Sequence, residues 1–320
     1  MVFGRGKMVA AVVLGGCLLG AWAREIQDPS RLALRSASAL VQDQRTGEIL
    51  MQKQTETAQP IASITKLMTA MVVLDARQDM REPITILEED KDHLRHSRSR
   101  LPVGTTLTRG EALLLALMAS ENRAAHALGR TYPGGLGAFV AAMNAKAGAL
   151  GLATARFQDP AGLSGGNVAS ARDLARIVDQ AYRYPEIRTC STTDETTIQG
   201  RYRPILFHNT NRLLQSTRWQ IGLSKTGYID ESGQCLVMQA QMKERPVLIV
   251  LLDSQGKGSR FGDANRIRQW LDGADAPAPR RLAKVARLRK NPKMVKVAQV
   301  RRQAKAAHPA KTRRHRRGRS

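Results

Sequence analysis

IGLSKTGYIDESGQCLVMQAQMKERPVLIVLLD, residues Ile221–Asp253, contains three strand-like runs: Ile221–Tyr228, Gln234–Met242 and Pro246–Asp253. Glu231-Ser232-Gly233 and Lys243-Glu244-Arg245 break the runs with turn chemistry, which predicts an antiparallel meander. A second strand signal lies near the other end of the chain. There Ala39–Asp43 and Glu48–Gln52 flank Gln44-Arg45-Thr46-Gly47, the pattern of a hairpin. The sequence between the two signals is helical in character. After Pro60, residues Ile64, Leu67, Met68, Met71 and Val72 recur at helical spacing, so a helix starts at or near Ser63. Thr108 with Glu111 forms a capping box ahead of a second apolar helix, Ala112–Met118, and Asp263–Leu271 reads as an amphipathic helix after the meander. Strands at both ends with helices between them predict an α+β domain in which the early hairpin joins the late meander in one sheet.

The chain has 320 residues and 42% apolar content, enough for a buried core in one large domain or two small ones. Its net charge of +24 is uneven: Arg280–Ser320 carries 17 Lys and Arg and no acid, which leaves +7 for everything before it. Residues 274–320 therefore read as a basic, extended tail suited to an anionic membrane surface or a wall polyanion. Nucleic acid is disfavoured as its partner, because the tail has no aromatic side chain to stack on bases.

Residues 1–23 place Arg5 and Lys7 before an apolar run from Met8 to about Leu19, followed by Ala21-Trp22-Ala23. This is the layout of a cleavable signal peptide, so the chain is expected to be exported to the periplasm. A lipoprotein reading at Cys17 is weaker, since the apolar run continues past that residue. Residues 24–38 form a lead-in, and 39–273 make up the predicted domain. Cys190 and Cys235 are expected to be separate thiols. His93-x-x-His96 sits in a charge-dense stretch and reads as solvated surface, so neither a metal nor a cofactor is expected.

Three short strings carry the chemistry: Ser63-Ile64-Thr65-Lys66, Ser120-Glu121-Asn122 and Lys225-Thr226-Gly227. Their ordered, joint occurrence points to serine acyl transfer. On a helix, Ser63 and Lys66 share a face, so the amine can take the hydroxyl proton once desolvation or a neighbouring cation, for which Lys225 is a candidate, makes it neutral. Ser120 and Asn122 follow an apolar helix and can turn into a cleft, Ser120 to relay a proton and Asn122 to hold a substrate amide. Glu121 between them is expected to face solvent. On a strand, Lys225 and Gly227 share a face. Lys225 and the Thr226 hydroxyl then suit a carboxylate, and Gly227 leaves room for a substrate backbone. The N–H of Tyr228 can pair with that of Ser63 as an oxyanion hole. A lone Ser-x-x-Lys means little: Ser254-x-x-Lys257 repeats it in a glycine-rich loop and is rejected.

At this point a resemblance becomes specific. Ala62–Met71, Ser120–His126, Asp159–Ser164 with Asn167 and Ala171–Leu174, and Leu223–Tyr228 resemble the D-alanyl-D-alanine carboxypeptidase/endopeptidase family. This is peptidase family S11, the low-molecular-mass penicillin-binding proteins, and within it the likeness is to the endopeptidase, or penicillin-binding protein 7, type. The likeness runs from about Leu40 to Leu271. It implies a serine β-lactamase/transpeptidase-like fold, peptidoglycan stem peptides as substrate and β-lactam antibiotics as covalent inhibitors. It also implies Ser63 as nucleophile, Lys66 as base, Ser120 and Asn122 as relay and amide holder, and Lys225 as carboxylate anchor. The family's larger carboxypeptidases carry a second β domain, for which residues after Leu271 offer no space, and this favours endopeptidase over carboxypeptidase. Three rivals fare worse. Gly162-Leu163-Ser164-Gly165-Gly166 lacks the preceding strand of an α/β-hydrolase elbow. A class A β-lactamase needs a glutamate that Asp159–Asn167 does not supply. A catalytically silent wall-binding protein has no reason to keep every catalytic side chain.

Overall fold

Five strands build one antiparallel sheet in the computed structural model, which describes residues 32–273. They are β1 (Ser36–Asp43), β2 (Ile49–Lys53), β3 (Gln220–Ile229), β4 (Gly233–Met242) and β5 (Arg245–Ser254), in the spatial order β2-β1-β5-β4-β3. The early hairpin joins the late meander through β1 and β5, with Leu40 opposite Val250 and Val41 opposite Ile249. This leaves β3, the strand of Lys225, at the sheet edge.

Both faces of the inner strands are covered, which explains their unbroken apolar runs. Along β5, Leu248, Val250 and Leu252 face one core, and Val247, Ile249 and Leu251 face the other. Helix α7 (Ser259–Leu271) covers the second face with Phe261, Ala264 and Ile267. The first face carries a helical layer: α1 (Lys66–Asp75), α2 (Arg109–Met118), α3 (Asn122–Arg130), α4 (Gly135–Ala149), α5 (Ala171–Tyr182) and α6 (Pro185–Thr192). Residues Leu67–Val73 of α1 are buried on every side, so this helix belongs in the middle of the layer. Each fully buried Leu or Met there contributes about 1.5–3 kcal/mol, and that packing fixes the turn ahead of α1 on which Ser63 stands.

The element boundaries moved outward from expectation. The Thr108–Glu111 capping box is reciprocal, with Glu111 N to Thr108 Oγ1 at 3.1 Å and Thr108 N to Glu111 Oε2 at 2.7 Å, so α2 begins at Arg109. Helix α7 begins at Ser259 because Asp263, expected at its start, is buried and used elsewhere. Its carboxylate accepts Ser36 N (2.7 Å) and Ser36 Oγ (2.6 Å), tying α7 to β1. Ser254 bonds Ser259 inside this joint while Lys257 is exposed beyond Gly256, so the second Ser-x-x-Lys never comes together. Cys190 and Cys235 are free thiols, both pushed up to about 11 by burial. The signal (1–23), residues 24–31 of the lead-in and the basic tail (274–320) lie outside the described residues.

Candidate active site

Ser63 sits on a single 3₁₀ turn, Ala62–Thr65, that runs directly into α1. Lys66, the first residue of α1, has no exposed surface. Its Nζ lies 2.8 Å from Ser63 Oγ, 2.8 Å from Asn122 Oδ1 and 2.7 Å from Ala161 O. Burial pushes the Lys66 amine down to about 7, against the opposing pull of the Asp159, Glu121 and Asp92 carboxylates. A neutral amine has two N–H donors and one lone pair, which match Asn122 and Ala161 as acceptors and the Ser63 hydroxyl as donor. The three contacts therefore suit a proton acceptor for Ser63.

The second corner is a turn between two helices. Helix α2 ends at Met118, and Ser120 takes a left-handed backbone (φ 58°) before α3 starts at Asn122. A non-glycine residue in that region is held there at a cost by its surroundings. Here the turn aims Ser120 Oγ at Lys225, 2.9 Å away, while Asn122 reaches Lys66. Glu121 corrects the expectation of a solvent-facing charge: it is buried. As the N-cap of α3 its carboxylate accepts Arg123 N at 3.3 Å and Ser99 Oγ at 2.6 Å, which satisfies it at a helix N-terminus.

The edge strand β3 forms the opposite wall. Lys225 Nζ contacts Ser120 Oγ and Thr226 O (3.0 Å), and the Thr226 hydroxyl bonds Thr210 Oγ1 at 2.7 Å. Burial holds the Lys225 amine well below its usual range, and Lys66 and Arg260 add repulsion. For Lys66, of the two causes read from sequence, burial is the one the structure supplies. Gly227 also departs from expectation. A Cβ there would stand 2.8 Å from Ile61 O and 3.3 Å from Ser63 N, so the missing side chain makes room for the backbone that carries the nucleophile. Tyr228, one residue on, is exposed.

Sequence reasoning missed the parts that support these residues. The Asp159 carboxylate accepts four backbone N–H groups, those of Ala161, Gly162, Leu163 and Ser164, which shapes the turn that presents Ala161 O to Lys66. Buried Asn167 binds that turn to Thr65 Oγ1 at 3.0 Å. Gly162, at φ +78°, lies so close to the nucleophile turn that a Cβ would be 2.0 Å from Ala62 O. The signal for this turn is Asp-Pro-x-Gly, which rules out a strand before Gly162 but shows nothing of its tie to Lys66. The stretch around His93 is mostly exposed, yet its Ser97 accepts from Asn122 Nδ2 at 3.0 Å. Arg260 of α7 donates to Gly227 O at 2.8 Å and holds the edge strand from behind.

The chain is similar to known proteins. A model of the peptidase S11 family, described as D-alanyl-D-alanine carboxypeptidase, matches residues 25–256. The chain is 46% identical over 265 residues to a D-alanyl-D-alanine endopeptidase of Pseudomonas aeruginosa, spanning 82% of this chain and 86% of that protein. It is 42% identical over 253 residues to a D-alanyl-D-alanine endopeptidase of Escherichia coli, spanning 78% and 82%. Among solved structures, the Streptomyces K15 DD-transpeptidase is similar at a TM-score of 0.70 and 28% identity, covering 75% of this chain and 98% of that chain.

Proposed function

Since the chain belongs to the peptidase S11 family of D-alanyl-D-alanine carboxypeptidases, we propose that it is a serine D-alanyl-D-alanine endopeptidase that cuts peptidoglycan cross-links. The observation that carries this is the 2.8 Å contact between Ser63 Oγ and an amine that burial holds near neutrality. Ser63 Oγ attacks the carbonyl of a D-alanyl residue in a donor stem, and neutral Lys66 takes the hydroxyl proton. The N–H groups of Ser63 and Tyr228 receive the oxyanion, a contribution of about 2.7–4 kcal/mol per donor in comparable sites. Asn122 holds a stem amide. The departing amine gains its proton through Ser120, and its α-carboxylate meets Lys225 and Thr226, recharging the depressed Lys225 amine. Water then releases the acyl-enzyme.

In an endopeptidase the leaving amine belongs to a neighbouring stem, and in a carboxypeptidase it is free D-alanine. Both carry the same α-carboxylate. The endopeptidase reading draws on the relatives at 46% and 42% identity. β-Lactams acylate Ser63 by the same attack, and without a glutamate in Asp159–Asn167 to activate water they remain attached. The signal over 1–23 sends the enzyme to the periplasm, and the basic tail draws it to anionic membrane or wall polymer.

Digestion of purified cross-linked muropeptide dimers tests the reaction. Monomers are expected, together with covalent labelling of Ser63 by a fluorescent penicillin. Free D-alanine with intact dimers would make the protein a carboxypeptidase, and absence of labelling would make it a silent wall-binding protein.

A further inference from the structure

Beyond Tyr228 an ion pair of opposite charges joins the turn after β3 to the loop that carries Arg95. Asp92 shapes the loop that carries Arg95, its carboxylate accepting the N–H groups of Leu94, Arg95 and Ser97. From this loop the Arg95 guanidinium donates to Leu163 O on the Asp159 turn and to Glu231, 2.9 Å away in the β3–β4 turn. Three segments distant in sequence therefore meet at one arginine. The loop is also tied to the reaction centre through Ser97 and Asn122. The pair contributes little to stability, because Glu231 is 53% exposed and such pairs are screened by water. Gly165 leaves the space beside it open: a Cβ there would still be 4.0 Å from Glu231 Oε1.

The direction of the groove follows from the proposed reaction, on which this inference rests. The leaving carboxylate lies at Lys225 and Thr226, and the oxyanion lies at Tyr228, so the donor stem continues past Tyr228 toward Glu231. Glu231 stands three residues past Tyr228, in the turn that ends β3, on the side toward which one more stem residue and its long side chain extend. The carboxylate anchor proposed at Lys225 and Thr226 implies what that side chain is: the amine released from a cross-link sits on a stem side chain with a carboxylate on the same carbon. Stems of one polymer share this residue, so the donor stem has it too, with its own amine free. Its end is a zwitterion, an ammonium and a carboxylate on one carbon.

We propose that Arg95 and Glu231 form a specificity subsite for this zwitterionic end, Glu231 accepting from the ammonium and Arg95 donating to the carboxylate. Each charge exchanges its present partner for one on the substrate, while the Leu163 carbonyl keeps the guanidinium in place.

N-acetylation of muropeptide dimers provides the test, because in a dimer the donor side chain holds the free amine and the acceptor's amine is in the cross-link. Wild-type enzyme is expected to cleave the acetylated dimer with a kcat/KM about tenfold lower than the free-amine dimer, the worth of one charged hydrogen bond. Glu231→Gln is expected to lower cleavage of the free-amine dimer to the acetylated level and leave the acetylated dimer unchanged. Penicillin acylation, which lacks this side chain, should be the same in both proteins and certifies folding. Equal losses on both dimers, or no loss on either, would overturn the subsite. A wild type that penicillin labels but that cleaves neither dimer would overturn the endopeptidase reading itself, and the subsite with it.

Discussion

Two lysines are buried across from each other, and among the described residues only one of them is fully partnered. Lys66, at the start of a helix packed on all sides, has three contacts, with Ser63, Asn122 and Ala161, which satisfy the amine whether it carries two protons or three. Lys225, on the edge strand, has two contacts, with Ser120 and Thr226 O, and so keeps one direction for a ligand. The first arrangement suits proton exchange. The second suits the carboxylate of the proposed reaction. Residue type and burial are the same, and the difference in role comes from the number of acceptors around each amine.

Replacing one lysine at a time should separate these roles. Lys66→Met removes the proton acceptor and is expected to slow penicillin acylation by about 10²–10⁴-fold, read as the second-order labelling rate. A loss under tenfold would break the assignment of Lys66 as base. Next in size, Gly162→Ala drives a Cβ into the Ala62 carbonyl at a positive φ and displaces the turn that offers Ala161 O. Unfolding should cost about 2–4 kcal/mol less, seen as a lower Tm, with slower acylation in the protein that remains folded. Lys225→Met should reduce kcat/KM about 10–100-fold for peptides ending in a free carboxylate, and scarcely at all for the same peptides capped as amides. Equal loss on both would assign Lys225 to structure rather than recognition.

The gentlest probe is pH. Lys66 must be neutral to act, and its amine is held down to about 7, so acylation should fall about tenfold per unit as pH drops below that value and level off above it. The slope should vanish in Lys66→Met and persist in Lys225→Met. For stability the sign is the same. An amine depressed in the folded state binds fewer protons there than when unfolded, so its burial penalty is full below about 7 and fades as pH rises toward the usual lysine value of 10.5.

Much of this was legible beforehand. The meander, the hairpin and a helix beginning near Ser63 follow from short-range periodicity, a property of neighbouring residues, and their union in one sheet from the order of elements along the chain. The three strings were found for the same reason, since each is local. Glu121 was misread because charge alone suggests solvent, whereas its place as N-cap over α3, beside Ser99, depends on where α2 stops. Gly227 was read as space for substrate, yet it is space for Ile61–Ser63, which no pattern within β3 reveals. The loop of Arg95 and Ser97 looked like plain surface, because its partners Glu231 and Asn122 lie far away in sequence.

Local order in this chain, meaning which segments form helices and strands and which side chains can do acyl-transfer chemistry, was decided by the amino-acid sequence, because backbone preference and side-chain reactivity act over a few residues. The lowered basicity of Lys66, the smaller set of partners at Lys225 and the meeting of Arg95 with Glu231 were decided by the tertiary structure. Burial and hydrogen-bond completion depend on atoms brought together from α1, the Asp159 turn, α3 and β3, and only the packed fold puts them within 3 Å of one another.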